Sequence, residues 1–342
     1  MASGLGTRTD DPPYALSVRR SESAPLWEDP RRSGGYGPRM RFSVWPNLAN
    51  PWSEAVATVT HAEATGWDGV YVADHFMGDN QHAGDTITPM YEATAALAGL
   101  AVATGRVRLG SLVFGITYRH PAVLANWAKT VDHMSGGRLL LGVGAGWQIN
   151  EHEMYGIDLG RPGVRIDRFE EACQVLEGLL RAPVASVDGE YYRLTDAVME
   201  PKPVQEPLPI LIGGKGDRMM GVVARYADEW NMWSSPDEFR ERSDALDAAC
   251  SKIDRNPATI ARSTQALWFM GDDTAKIDAL IERVKPRPAV GGPAERLIEA
   301  VQGWAGVGVD EVIIPDFTLG TGTQRLEALD LIIEQVAPTF RS

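Results

Sequence analysis

The chain has 342 residues, 44% hydrophobic and 23% charged, and its 33 basic and 46 acidic side chains give a formal net charge of −13. That balance argues against a nucleic-acid partner, which would need clustered Lys and Arg, and no apolar run approaches the roughly 18–20 residues of a membrane span. With only Cys173 and Cys250, the sequence reads as a reduced cytoplasmic protein without a disulfide framework.

Residues 1–39 are rich in Pro, Gly, Ser and Arg and have neither an apolar period nor a signal-peptide core, so they read as a disordered extension. Met40 opens the first strand-like run and is a second candidate start of translation. Residues 40–342 then form one domain that repeats a short apolar run, a turn and an amphipathic stretch. The predicted strands are 41–45, 69–73, 107–113, 138–143, 209–213, 228–232, 263–269 and 311–315. Near-continuous apolar runs of this kind mark parallel strands covered on both faces. Between them, Val123, Leu124, Trp127 and Val131 form the core face of the third helix. Phe169, Cys173, Leu176 and Leu180 do so for the fourth, and Leu326, Leu329 and Ile333 for the last. Eight strands alternating with eight helices predict an α/β fold closed as a (β/α)8 TIM barrel. An open doubly wound sheet fits the count too, but no strong dinucleotide fingerprint stands where it would need one.

Residues 184–194 break the rhythm. Asp188-Gly189 between two β-prone runs predicts a tight hairpin inserted on the rim before the fifth strand. Loops on the C-terminal rim of such barrels set specificity.

Asp74 and His75 follow the second strand directly, where a barrel places its active-site residues, and a His there can take a substrate proton near neutral pH. Gly142, Gly144 and Gly146 alternate at the end of the fourth strand, which lets backbone approach a ligand closely. Gly213, Gly214 and Lys215 lead from the fifth strand into a helix starting at Asp217, where backbone amides and the helix dipole suit a phosphate. Glu151-His152-Glu153 reads as solvated charge, since no second cluster has ligand spacing for a metal. Signatures for acyl transfer are absent.

The segments WDGVYVADHF, LGSLVFGITYRHPAVLANWAKTVDHMSGGRLLLGVGAGWQINEHEMYGI, PKPVQEPLPILIGG and ARYADEWN, in this order, resemble the luciferase-like monooxygenase superfamily, most of all its F420-dependent oxidoreductases. The resemblance implies a barrel holding the deazaflavin F420 at the C-terminal face of the strands. It implies that His75, beside Asp74, acts in hydride transfer. It further implies that Leu112 and Val113 form a bulge backing the ring, often through a non-proline cis peptide, and that Gly213 and Gly214 grip the cofactor phosphate. Trp147 stands where the sugar-phosphate dehydrogenases of this superfamily have an acidic residue, which favours an apolar or aromatic substrate.

The expected function is thus F420-dependent hydride transfer to or from a small-molecule substrate. The alternatives are an FMN-dependent monooxygenase fed by a separate reductase, and a cofactor-binding paralogue without turnover. A homodimer is compatible with the sequence, and no metal is expected.

Overall fold

In the computed structural model, which describes residues 39–79 and 86–341, chain order runs β1 (Arg41–Trp45), α1 (Trp52–Thr65), β2 (Gly69–Val72), α2 (Ala93–Ala103), β3 (Arg108–Ser111) and β4 (Phe114–Gly115). There follow α3 (Pro121–Ser135), β5 (Leu139–Gly144), α4 (Ile149–Tyr155), α5 (Pro162–Arg181), β6 (Ala185–Asp188), β7 (Arg193–Ala197), β8 (Ile210–Gly213) and α6 (Asp217–Tyr226). The chain continues with β9 (Glu229–Trp233), α7 (Pro236–Ser251), β10 (Ala261–Gln265), β11 (Leu267–Met270), α8 (Thr274–Val284), β12 (Ala289–Gly292), α9 (Ala294–Ala305), β13 (Glu311–Pro315) and α10 (Thr323–Leu331). The strands β1, β2, β3, β5, β8, β9, β10 and β13 pair in parallel around a ring that closes from β13 to β1, with β4 as a short second pairing on β5. This is the expected eight-stranded barrel. The predicted extension at 1–39 falls, except for Arg39, outside the described residues.

Alternation along each strand makes two cores. Phe42, Val44, Val70, Val72, Leu139 and Leu141 point outward into the helix layer. Trp45, Tyr71, Leu112, Leu140, Leu211 and Ile313 fill the interior. The interior floor is charged. Arg41 bonds Glu311 (3.0 Å) and Glu229 (3.3 Å), Arg108 bonds Glu229 (2.7 Å), and Ser43 and Tyr71 donate to the other Glu311 oxygen at 2.5 and 3.1 Å. Such a buried network is tolerable only because every carboxylate meets several donors.

Three expectations change. Val123 is 63% exposed: α3 buries Leu124, Ala125, Ala128 and Val131 instead, one step round the helix. The hairpin is present as β6 and β7, but Asp188 pairs with Arg193, so four residues rather than two form its turn. Glu171 of α5 accounts for this by accepting the N–H groups of Glu190, Tyr191 and Tyr192. The hairpin also lies in the connection from α5 back to β8, the N-terminal side of the barrel, and so does not shape the mouth. The mouth insertion comes later. The predicted strand 263–269 is two strands, because the chain turns at Ala266, and β11 leaves the barrel to pair with β12. No helix among the described residues is long and apolar enough to cross a membrane, and Cys173 and Cys250 are free and buried.

Candidate active site

The loop leaving β2 carries Asp74 and His75, and the structure gives them different partners. Asp74 is 2% exposed. Its Oδ2 accepts from the Gly115 N–H (3.0 Å) and Arg119 Nη1 (2.6 Å), and its Oδ1 from Arg119 Nη2 (2.9 Å). A two-pronged guanidinium pair of this kind fixes geometry. It ties the end of β2 to the loop after β4, and no hydrogen bond joins Asp74 to His75.

The carboxylate that does engage His75 is Glu151, in the first turn of α4. His75 Nδ1 lies 2.8 Å from Glu151 Oε1, Glu151 Oε2 accepts the Phe76 N–H at 2.8 Å, and the Tyr118 hydroxyl donates to Oε1. Glu151 is fully buried. Burial alone would push its carboxyl up, but the bonds from His75, Phe76 N–H and Tyr118 outweigh it and hold the group below the ordinary carboxylate value. Burial and the adjacent Glu151 both drive the Tyr118 hydroxyl well above its ordinary value, so it stays a donor.

The expectation of solvated charge at 151–153 therefore holds only for Glu153. His152 is buried as well, with Nδ1 2.6 Å from the Gln148 carbonyl and Nε2 2.8 Å from Thr117 Oγ1, so its Nδ1 donates and its Nε2 accepts. Among the described residues no group of three or more His, Cys, Asp or Glu could hold a metal. The segment leading into and opening α4 clamps the active loop further, since Gln148 Nε2 donates to the Met77 carbonyl and Asn150 Nδ2 to that of Gly78.

With Nδ1–H committed to Glu151, His75 presents Nε2 with a free lone pair, and the side chain is partly exposed at the mouth. Trp147, 50% exposed, sets its ring edge-to-face against His75 at 5.4 Å. The structure thus brings together His75, Trp147 and Glu151, a residue whose sequence context was simply polar.

A second group converges on Val113. The Leu112–Val113 peptide is cis, as the resemblance implied. A Cβ on Gly144 would sit 2.6 Å from Val113 Cγ2, and one on Gly213 would sit 3.0 Å from Val113 Cγ1. Glycine at both strand ends therefore makes room for Val113, which leans across β5 and β8. Gly146 has φ +82°, and a side chain there would meet Thr117.

The third group is only partly as expected. Gly214, at φ +143°, already donates its N–H to the Asn231 carbonyl (3.1 Å), and its own carbonyl accepts from Trp230 Nε1 (2.8 Å). That N–H is spent on the fold. The donors left for an anion are those of the first turn of α6, whose N-cap Gly216 supplies no side-chain bond. Lys215 pairs with Glu238 at 2.7 Å, so its charge is shared.

The luciferase-like monooxygenase family model matches residues 34–330. The chain is 33% identical over 175 residues to the F420-dependent glucose-6-phosphate dehydrogenase of Amycolatopsis mediterranei, covering 51% of this chain and 50% of that protein. It is 32% identical over 172 residues to a pyrimidine monooxygenase of Stutzerimonas stutzeri, covering 48% of this chain and 47% of that one. The chain spans about half the length of these relatives. The coenzyme F420-dependent tetrahydromethanopterin reductase of Methanopyrus kandleri superposes with a TM-score of 0.74 at 17% identity, over 88% of this chain and 99% of that one.

Proposed function

Because the chain belongs to the luciferase-like monooxygenase family, we propose that it is an F420-dependent oxidoreductase acting on a small organic molecule. The observation that carries this reading is the His75–Glu151 pair, a base fixed in one tautomer at the barrel mouth. Two features of the backbone fit a planar cofactor with a phosphate. Val113, seated on Gly144 and Gly213, offers an apolar backing. The uncapped first turn of α6, beside Gly213, Gly214 and Lys215, offers N–H donors.

When bound, the deazaflavin would supply or accept the hydride. His75 Nε2 takes the proton of a substrate hydroxyl, or returns it to a carbonyl in the reverse direction, while Glu151 balances the charge that forms on the ring. Trp147 packs edge-to-face on one side of His75 and narrows its access to water. Asp74 and Arg119 hold the loop in register and take no proton. The protein would act in the cytoplasm, and a homodimer is compatible with this account.

The match to a pyrimidine monooxygenase favours a second reading, in which FMN reduced by a separate enzyme reacts with O2. Mixing the protein with reduced F420 and a panel of ketones, and separately with reduced FMN and O2, distinguishes the two. Substrate-dependent reoxidation of F420 without O2 supports the first reading. Product formed only with FMN and O2 overturns it.

A further inference from the structure

The residues assigned above to the cofactor and to proton transfer sit at the ends of four neighbouring strands, β2, β3, β5 and β8. The other four, β9, β10, β13 and β1, are also contiguous around the ring. Their ends carry Trp233, Gln265, Phe317 (just past β13) and Trp45, none of which the proposed cofactor site uses.

These side chains form a built surface. Trp45 lies 5.8 Å from Trp233 and 5.1 Å from Phe317, ring centre to ring centre, the second pair edge-to-face. Gln265 is the last residue of β10, in register with Trp233 on one side and the interior Ile313 on the other, so it points into the barrel. It is 3% exposed, yet its carboxamide oxygen has no hydrogen-bond partner. A buried acceptor left empty is costly and rare in a native fold. The β11–β12 excursion then brings Arg287 over the Trp233 ring at 5.9 Å, closing the outer side.

We infer that this half of the mouth is the substrate subsite, and that it takes a planar aromatic molecule whose ring bears an O–H or N–H donated to Gln265 Oε1. Tilted aromatic walls favour a flat ring over an aliphatic chain. An unpaired buried acceptor selects a ring with a donor, because a ring without one leaves that oxygen unpaired. The inference uses the proposed function only to say which half the cofactor fills.

Calorimetric titration of the full-length chain with naphthol, its methyl ether and cyclohexanol tests it, each run with and without whichever of F420 or FMN saturates the protein. Naphthol should bind about tenfold tighter than its ether, and cyclohexanol should show no saturable binding. Gln265→Leu should erase the preference, and Phe317→Ala, at a partly exposed site, should weaken both aromatic probes. The inference falls if naphthol does not bind, if its preference survives in Gln265→Leu, or if cofactor displaces it. Failure of F420 to bind would sink the cofactor assignment and leave this result standing.

Discussion

Nδ1 of His75 lies 2.8 Å from Oε1 of Glu151, across 76 residues of sequence. The contact exists because α4 folds back over the loop leaving β2 and pins it through Gln148, Asn150 and Glu151. It makes the active loop and the end of β5 one unit, and it sets which nitrogen of His75 faces the substrate.

His75→Ala removes the base and should lower turnover by ~10²–10⁴-fold while leaving cofactor affinity nearly unchanged. Steady-state rates beside a cofactor titration check this. A variant within a factor of about two of wild type, well below that acid–base range, would make His75 a structural residue.

Glu151→Gln keeps the shape and an acceptor for Phe76 N–H but removes the charge that balances a protonated His75. Loss of such an orienting carboxylate costs from about tenfold to ~10⁴-fold, and the acid limb of the rate profile should move to lower pH. The ionised group also acts on stability. Its folded pKa is lowered from 4.5, so its contribution is present above that value and lost as pH falls through the lower folded value. Acid unfolding followed from pH 5 downward should therefore be shallower in Glu151→Gln. An unaltered rate profile with equally steep acid unfolding would refute the pairing.

Gly144→Ala places a Cβ against Val113 Cγ2 at 2.6 Å. Overpacking of this kind costs ~1–3 kcal/mol, and the displaced Val113 should weaken cofactor binding. Adding Val113→Ala should recover stability, giving a favourable coupling of at least ~0.5 kcal/mol in a double-mutant cycle. Strict additivity would show that the two side chains do not compete for that space.

At the barrel floor, Glu311→Gln leaves Glu229 as the ionised carboxylate bonded to both Arg41 and Arg108. Breaking a buried pair typically costs ~3–5 kcal/mol, and the remaining carboxylate argues for the lower end. Urea unfolding should show a lower midpoint with an unchanged slope. A loss below ~1 kcal/mol would mean that the network is not intact in solution.

The barrel was legible because strands covered on both faces leave apolar runs, and because the helices return at 3.6-residue spacing. The break at Ala266 was not, since 263–269 is equally strand-like throughout and only pairing with β12 separates β10 from β11. Within the site, His75, Gly144 and Gly213 stood out by their positions at or just past strand ends, whereas Val113 came only from the family resemblance. That Asp74 bonds Arg119 rather than His75 was not legible, because adjacency in sequence does not predict which carboxylate folds onto the ring. Glu151 lies in a polar run whose local sequence is that of any solvated helix start, and its burial comes from tertiary packing. Gln265 looks unremarkable until its neighbours in the ring are known.

Equilibrium titration of the purified protein with F420 and, in parallel, with FMN tests the central claim most directly. The account predicts saturable F420 binding at one equivalent per chain, tighter than FMN by about tenfold or more, ~1.4 kcal/mol, and weakened by Gly144→Ala. Tight binding of FMN with no saturable binding of F420 would contradict it.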